Sequence, residues 1–276
     1  MARFIDKAVW LVPAALVILY IPIFATAFQL WMTNENYSHC VFIIPISIFL
    51  LWLLRDEIKV AKPSPTPWGM LPLSLGLLMQ CGAYLFALPY IGVWSVVPVV
   101  AGCVLLLHGT ELWKVVQFPV CYLLLAGSLP TSTFSGLNAW IQHTSTVGAA
   151  MMGQTLGFVL VRHGNFIEVP GMSLEVMMAC SGYKKLVTLI SFSLLYGFLF
   201  TASVPKRVIL VLAAVPIAVI ANCLRITGLI AASSAGGMKF YHIFHTPTDL
   251  VAIVIALFFL VLIGKQLGCT DLRYSF

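Results

Sequence analysis

Apolar residues gather in long runs parted by short polar breaks, and the runs set the first expectation. A helix that crosses a bilayer needs about 20 predominantly apolar residues. Such runs fall at about 8–31, 40–54, 68–88, 91–108, 115–130, 178–202, 207–231 and 248–267. The pattern predicts an all-α integral membrane protein of about eight transmembrane helices, with the runs at 40–54 and 115–130 short and extending into their flanks. Residues 131–177 remain as a partly helical outer-face segment ahead of the sixth helix, and the chain reads as a single polytopic membrane domain over 1–276.

That segment differs in texture from the spans. Residues 131–161 are Gly/Ser/Thr-rich and moderately apolar, which predicts helices lying along or dipping into the interface. Residues 165–169 alternate apolar and polar and are closed by Pro170-Gly171, the pattern of a short strand or extended loop. Irregular backbone at membrane depth must be covered by protein or line a wet cavity, so this segment suits a site. At the other end, Arg3 and Lys7 before an apolar run, with Ala25-Thr26-Ala27 beyond it, resemble a signal peptide. The run is too long for a signal-peptide core and more spans follow, so it reads as an uncleaved anchor.

Composition sharpens the class. Hydrophobic residues make up 61% and charged residues 9%, against about 25% charged in a soluble domain. A water-soluble globule is excluded. The net charge of +6 comes from Lys and Arg scattered singly or in pairs, which sets membrane orientation and is no nucleic-acid footprint. With the N-terminus inside, ten basic residues fall on inner segments (Arg3, Lys7, Arg55, Lys59, Lys62, Lys114, Lys206, Arg207, Lys265, Arg273). Five fall outside or near the outer face (Arg162, Lys184, Lys185, Arg225, Lys239). The asymmetry predicts both termini cytoplasmic, with 34–39, 131–177 and 232–247 facing outward. The seven cysteines show no CxxC and no regular spacing, which argues against a disulfide framework or a zinc ribbon. Cys81, Cys103, Cys121 and Cys223 read as small buried hydrophobes.

Ionisable groups within spans are costly, and each is a functional candidate. Three places qualify: Ala179-Cys180-Ser181-Gly182-Tyr183-Lys184-Lys185, Ala221-Asn222-Cys223-Leu224-Arg225-Ile226, and His242-Ile243-Phe244-His245. At about 1.5 Å per residue, Arg225 lies about 27 Å from Arg207, His245 about 30 Å from Lys265 and Cys180 about 33 Å from Ala202. All three therefore reach the outer interface of a core about 30 Å thick. A thiolate is a nucleophile that needs positive surroundings or a base, and Lys184 stands at i+4 from Cys180. His245 can take the thiol proton and return one to a leaving amine. Arg225 can donate several hydrogen bonds to an oxyanion without losing its charge. Thr246-Pro247-Thr248-Asp249 reads as a helix start with Thr as N-cap, which would set His245 beside a positive helix end and keep it neutral.

Plainer readings stand beside each of these. A cysteine in a membrane helix is commonly packing, and Lys184 and Lys185 can snorkel to headgroups. Arg225 can pair structurally with Glu175 or Asp249. His242 and His245, three apart, could hold a metal, yet no further ligand spacing completes a site, so neither metal nor cofactor is expected. Asp249 is either a capping acid or the residue that orients His245.

At these residues the sequence resembles the exosortase/archaeosortase family of membrane-embedded cysteine transpeptidases, over most of the chain. Tyr37-Ser38-His39 looks like that family's early Tyr-Ser-His-Gly element, with Cys40 in place of the glycine. Gly164 through Gly171 resembles the segment leading into the nucleophile. Ala179-Cys180-Ser181-Gly182 resembles the nucleophile motif, Ala221-Asn222 with Arg225-Ile226 the arginine motif, and Phe244-His245 the histidine motif. The chain departs at Lys184-Lys185, where the family has Arg-Ser, and at Asp249, where it commonly has glycine.

The resemblance implies Cys180, Arg225 and His245 as the catalytic set; Lys184, Asn222, Tyr37 and His39 read as substrate-binding or electrostatic support. It implies cleavage of a C-terminal sorting signal (short motif, transmembrane helix, basic tail) on exported proteins, with transfer through a thioester to a lipid or other acceptor. The implied location is a prokaryotic cytoplasmic membrane, with the site facing outward and membrane lipids as surroundings. The alternative class is a transporter or a non-catalytic assembly factor for surface polysaccharide export. Inverted repeats would mark a transporter, and none is evident.

Overall fold

The computed structural model describes residues 2–128, 131–176, 182–200 and 203–273. The chain is mostly helical and packs as two compact units, Met1–Leu129 and Pro130–Phe276.

The first unit holds α1 (Ala2–Thr33), α2 (Cys40–Leu53), α3 (Arg55–Val60), α4 (Met70–Leu85), α5 (Pro89–Leu107) and α6 (Thr110–Tyr122). Helices in lipid gain little from burying apolar area against one another, so they associate through close packing and buried hydrogen bonds. The α4–α5 pair shows both. A Cβ added at Gly76 would sit 2.7 Å from the Val99 backbone nitrogen, so only glycine lets the two backbones approach this closely. Ser95 Oγ donates to Gln80 Oε1 at 2.9 Å and lies 2.8 Å from the Tyr20 hydroxyl, which ties α5 to α4 and α1.

The second unit holds α7 (Ser135–Thr155), three short strands, α8 (Tyr183–Leu199) and α9 (Val204–Gln266). α9 is helical apart from Gly236 and Gly237, where the backbone turns, with φ +62° at Gly237. It therefore consists of two arms, 204–235 and 238–266, and it contains both the seventh and the eighth expected spans. Ala214, Ala218 and Ala221 on the first arm and Ala252 and Ala256 on the second recur at three- or four-residue spacing and are buried with Leu186 and Leu189 of α8. Small side chains at that spacing let helices pack tightly. α7 lies along the first arm in parallel register: Cys223 Sγ donates to the Ser145 carbonyl at 3.5 Å, and Thr227 Oγ1 to that of Ala149, also at 3.5 Å.

The strands are β1 (Val161–His163), β2 (Phe166–Val169) and β3 (Met172–Glu175), paired antiparallel in the order β1-β2-β3. Gly171, at φ +85°, makes the tight link between Val169 and Met172. Ile167 and Val169 point into a core with Ala149, Ala150, Ile226 and Ile230, while Phe166 and Glu168 are exposed. The alternation expected at 165–169 is thus a real strand. Its partners β1 and β3 correct the all-α reading, because two short flanking segments complete a sheet.

Four helices among the described residues are long and apolar enough to cross a bilayer: Ala15–Thr33, Pro67–Leu85, Pro89–Leu107 and Val204–Gln266. α2, α6 and α8, with 14, 13 and 17 residues, are shorter than the roughly 20 a span requires.

Candidate active site

Three buried helix faces of the second unit run from one end of the bundle to the other, and each ends in a polar group. On α8 the buried face passes through Tyr196, Ser193, Leu189 and Leu186 to Lys185. On the first arm of α9 it passes through Leu210, Ala214, Ala218 and Ala221 to Asn222 and Arg225. On the second arm Gly264, Leu260, Ala256 and Ala252 continue to Asp249 and, one turn further, His245. The opposite end is closed by the chain itself: the Tyr196 hydroxyl donates to the Cys269 carbonyl at 2.8 Å, and Arg273 N–H to that of Leu199 at 2.8 Å. Lys206, Arg207, Lys265 and Arg273 belong to that closed end.

Asp249 gathers the charges. Its Oδ1 accepts a hydrogen bond from Lys185 Nζ at 2.5 Å and lies 3.3 Å from Arg225 Nε, and its Oδ2 lies 3.5 Å from Lys184 Nζ. The Arg225 Nε–H is not aimed at Oδ1, so that contact is an ion pair without an aligned hydrogen bond. Lys185 also donates to Asn222 Oδ1 at 3.4 Å. Lys185 and Arg225 are almost fully buried, with side-chain exposures of 3% and 4%, whereas Lys184 keeps 24%. Three cations facing one carboxylate leave a surplus of positive charge, suited to an anion or a developing oxyanion.

Arg225 Nη2 lies 3.2 Å from His245 Nε2. Guanidinium has only donors, so Nε2 accepts and the imidazole is neutral, with its hydrogen on Nδ1. The expected reason for neutrality, a helix start at Thr246, is overturned by the backbone. The second arm starts after the Gly236–Gly237 turn, so Thr246 is not an N-cap and His245 lies inside a helix. Thr248 Oγ1 instead donates back to the Phe244 carbonyl at 2.7 Å. Pro247 is carried within the helix, where it removes one N–H and crowds the carbonyl one turn back. The ring of His245 packs against Tyr241, with centroids 5.6 Å apart, while His242 is exposed on the neighbouring face.

Cys180 lies outside the described residues, but both flanks of its segment are defined. Upstream, Gln142 Nε2 on the buried face of α7 donates to the Val176 carbonyl. Downstream, Gly182 opens α8 at φ +87°, a left-handed conformation that costs little only for glycine. A Cβ there would also lie 3.2 Å from the Cβ and Cγ of Asn222. Gly182, Asn222, Lys184, Lys185, Arg225, His245 and Asp249 therefore form one cluster.

Tyr37 and His39 belong to the first unit. Tyr37 is buried in the turn Glu35–Tyr37, and His39 Nε2 lies 3.6 Å from Cys40 Sγ at the start of α2. The Cys40 thiol donates to the Leu125 carbonyl at 3.6 Å.

Lys185 and Asp249 carry more of the site than their sequence context indicates. The lysines do not snorkel outward, and Asp249 caps nothing: it is the structural partner of Arg225 that one reading allowed. The available signal was that both departures from the family motif bring in charge, and of opposite sign. Gln142 gave no signal at all.

A family model described as transmembrane exosortase, EpsH type, matches residues 31–262. Comparison with curated proteins finds no match, and comparison with solved structures finds none.

Proposed function

The chain belongs to the transmembrane exosortase family, and from that premise we propose that it is a thiol peptidase and transpeptidase acting on C-terminal sorting signals. Membership covers membrane-embedded sorting transpeptidases in general. The finer reading concerns which residues act and on which side of the membrane.

Cys180 attacks the carbonyl of the scissile peptide, and its thiol proton passes to Nε2 of the neutral His245. Arg225 turns an N–H from His245 to the oxyanion, which frees the lone pair that the base needs. Collapse expels the amine, protonated by His245, and leaves a thioester on Cys180. A lipid or other acceptor nucleophile, or water, resolves it. The observation that carries this reading is the Arg225–His245 contact, which joins an oxyanion donor to a neutral base in the cluster that includes Gly182, two residues after Cys180.

An outward-facing site with cytoplasmic termini is supported by the ten-to-five basic asymmetry, four of the ten lying at the closed end of the second unit. A substrate helix beside the enzyme would bring its cleavage motif to this depth. The transporter reading draws no support from the break at Gly236–Gly237. That break joins two arms each long enough to span, whereas transporter sites use helices interrupted near the midplane. The deciding experiment incubates purified enzyme with a tripartite substrate, quenches in acid and maps the covalent adduct by mass spectrometry. Attachment at Cys180 supports the mechanism, and attachment at another residue overturns it.

A further inference from the structure

One carboxylate, that of Asp249, touches all three cations of the site, and its two oxygens divide them. Oδ2 faces Lys184, while Oδ1 faces both Lys185 and Arg225. The shared oxygen matters, because the same guanidinium reaches His245 with its other end. Guanidinium is planar and rigid, so the ion pair at its Nε edge and the contact at Nη2 are met from a single placement of the group. His245 and Asp249 stand four residues apart on one face of α9, one above the other. Arg225 crosses from the facing arm and meets both. Lys185 in turn holds Asp249 from α8, at 2.5 Å, and is too buried to exchange that contact for water.

We propose that Asp249 is a positioning residue, anchoring Arg225 through Nε so that Nη2 is delivered to His245 and then to the oxyanion, with Lys185 as its own anchor. For the reaction concerned, this rests on the transpeptidase reading above. The clamp itself is a statement about Arg225 and His245, whatever reaction they perform. A plainer role exists for Asp249, that of neutralising buried lysine, and the two roles separate experimentally.

Full-length enzyme carrying Asp249→Asn, Lys185→Met, both changes together, or Asp249→Glu is compared with wild type for membrane abundance and for processing rate per enzyme molecule. Asp249→Asn leaves Lys185 and Arg225 buried without a carboxylate, so abundance falls; Lys185→Met leaves Asp249 paired with Arg225 and Lys184, and adding it to Asp249→Asn removes one of the two buried unpaired cations, so abundance recovers in large part. Positioning requires that the double variant, though abundant, still processes about tenfold or more slowly, because Arg225 has lost its anchor. Asp249→Glu keeps a carboxylate and recovers part of the rate. A double variant that is both abundant and fully active overturns the proposal.

A second readout does not need catalysis. Diethyl pyrocarbonate modifies unprotonated imidazole nitrogen, and Arg225 covers His245 Nε2. The double variant should be modified severalfold faster at His245, with exposed His242 unchanged. Equal rates at His245 in wild type and double variant overturn the clamp. If wild type and Cys180→Ala process substrate equally, the transpeptidase reading fails, and the His245 comparison still decides the clamp.

Discussion

Arg225 meets His245 through Nη2 and Nε2, 3.2 Å apart, from opposite arms of one broken helix. The contact depends on the forked shape of guanidinium, since Nε is at the same time held beside Asp249. A lysine ammonium keeps the charge but cannot address both partners from fixed positions. Arg225→Lys should therefore accumulate near normally and process substrate about 100-fold more slowly or worse, the scale of losing an oxyanion donor. Quantitative blotting of precursor and product against enzyme abundance checks this. A normal rate would show that a generic positive charge suffices.

Gly182 is a test of backbone chemistry beside the nucleophile. Its φ of +87° would cost an L-residue about 1–2 kcal/mol, and the added Cβ would press on Asn222. Gly182→Ala should lower thermal stability by a few degrees and reduce processing by more than that loss explains, because the strain falls between Cys180 and Lys184. Detergent-solubilised melting curves run beside turnover assays measure both. Wild-type values for the two would mean that this turn does not set the nucleophile's position.

Orientation can be read with impermeant thiol reagents. His163, on β1, and Asp271, near the closed end, are both exposed. In intact cells, a cysteine at His163→Cys should label and one at Asp271→Cys should label only after permeabilisation. The reverse pattern would invert the topology drawn from basic residues.

The sequence made some of this legible and hid the rest for physical reasons. Long apolar runs announce helices because lipid admits little else, and helix rise alone put Arg225 and His245 at one depth. The strand at 165–169 showed through its alternation, whereas β1, three residues long, is too brief for a period to register, and β3 alternates only beyond Pro170-Gly171, which read as the close of the strand. Thr246-Pro247 mimicked a helix start because its chemistry is that of an N-cap. The true turn lies at Gly236–Gly237, where glycine takes up a positive φ. The Lys185–Asp249 pair joins residues 64 apart, and no local pattern encodes a contact of that kind.

The cysteines separate packing from chemistry. Cys223 is buried, donates to the Ser145 carbonyl at 3.5 Å, and fits where Gly148 leaves room, so its sulfur is a packing atom that binds α7 to α9. Cys40 is likewise buried, with its thiol engaged by Leu125. In sequence, Cys180 lies between Val176, pinned by Gln142, and Gly182, which packs against Asn222 in a cluster richer in cations than anions. Positive surroundings raise the thiolate fraction, so a small water-soluble alkylating reagent at neutral pH should modify Cys180 faster than Cys40 or Cys223. Cys180→Ala should abolish processing, and Cys180→Ser should be nearly as inactive, because a hydroxyl is far harder to deprotonate than a thiol. Cys223→Ala should instead cost about 1 kcal/mol of stability and leave the rate per molecule close to wild type. Following precursor, product and enzyme abundance in the same cells distinguishes these outcomes. Should Cys180→Ala cleave at the wild-type rate with unchanged abundance, the thiol mechanism is wrong. A loss of cleavage confined to Cys223→Ala would move the nucleophile to the α7–α9 seam.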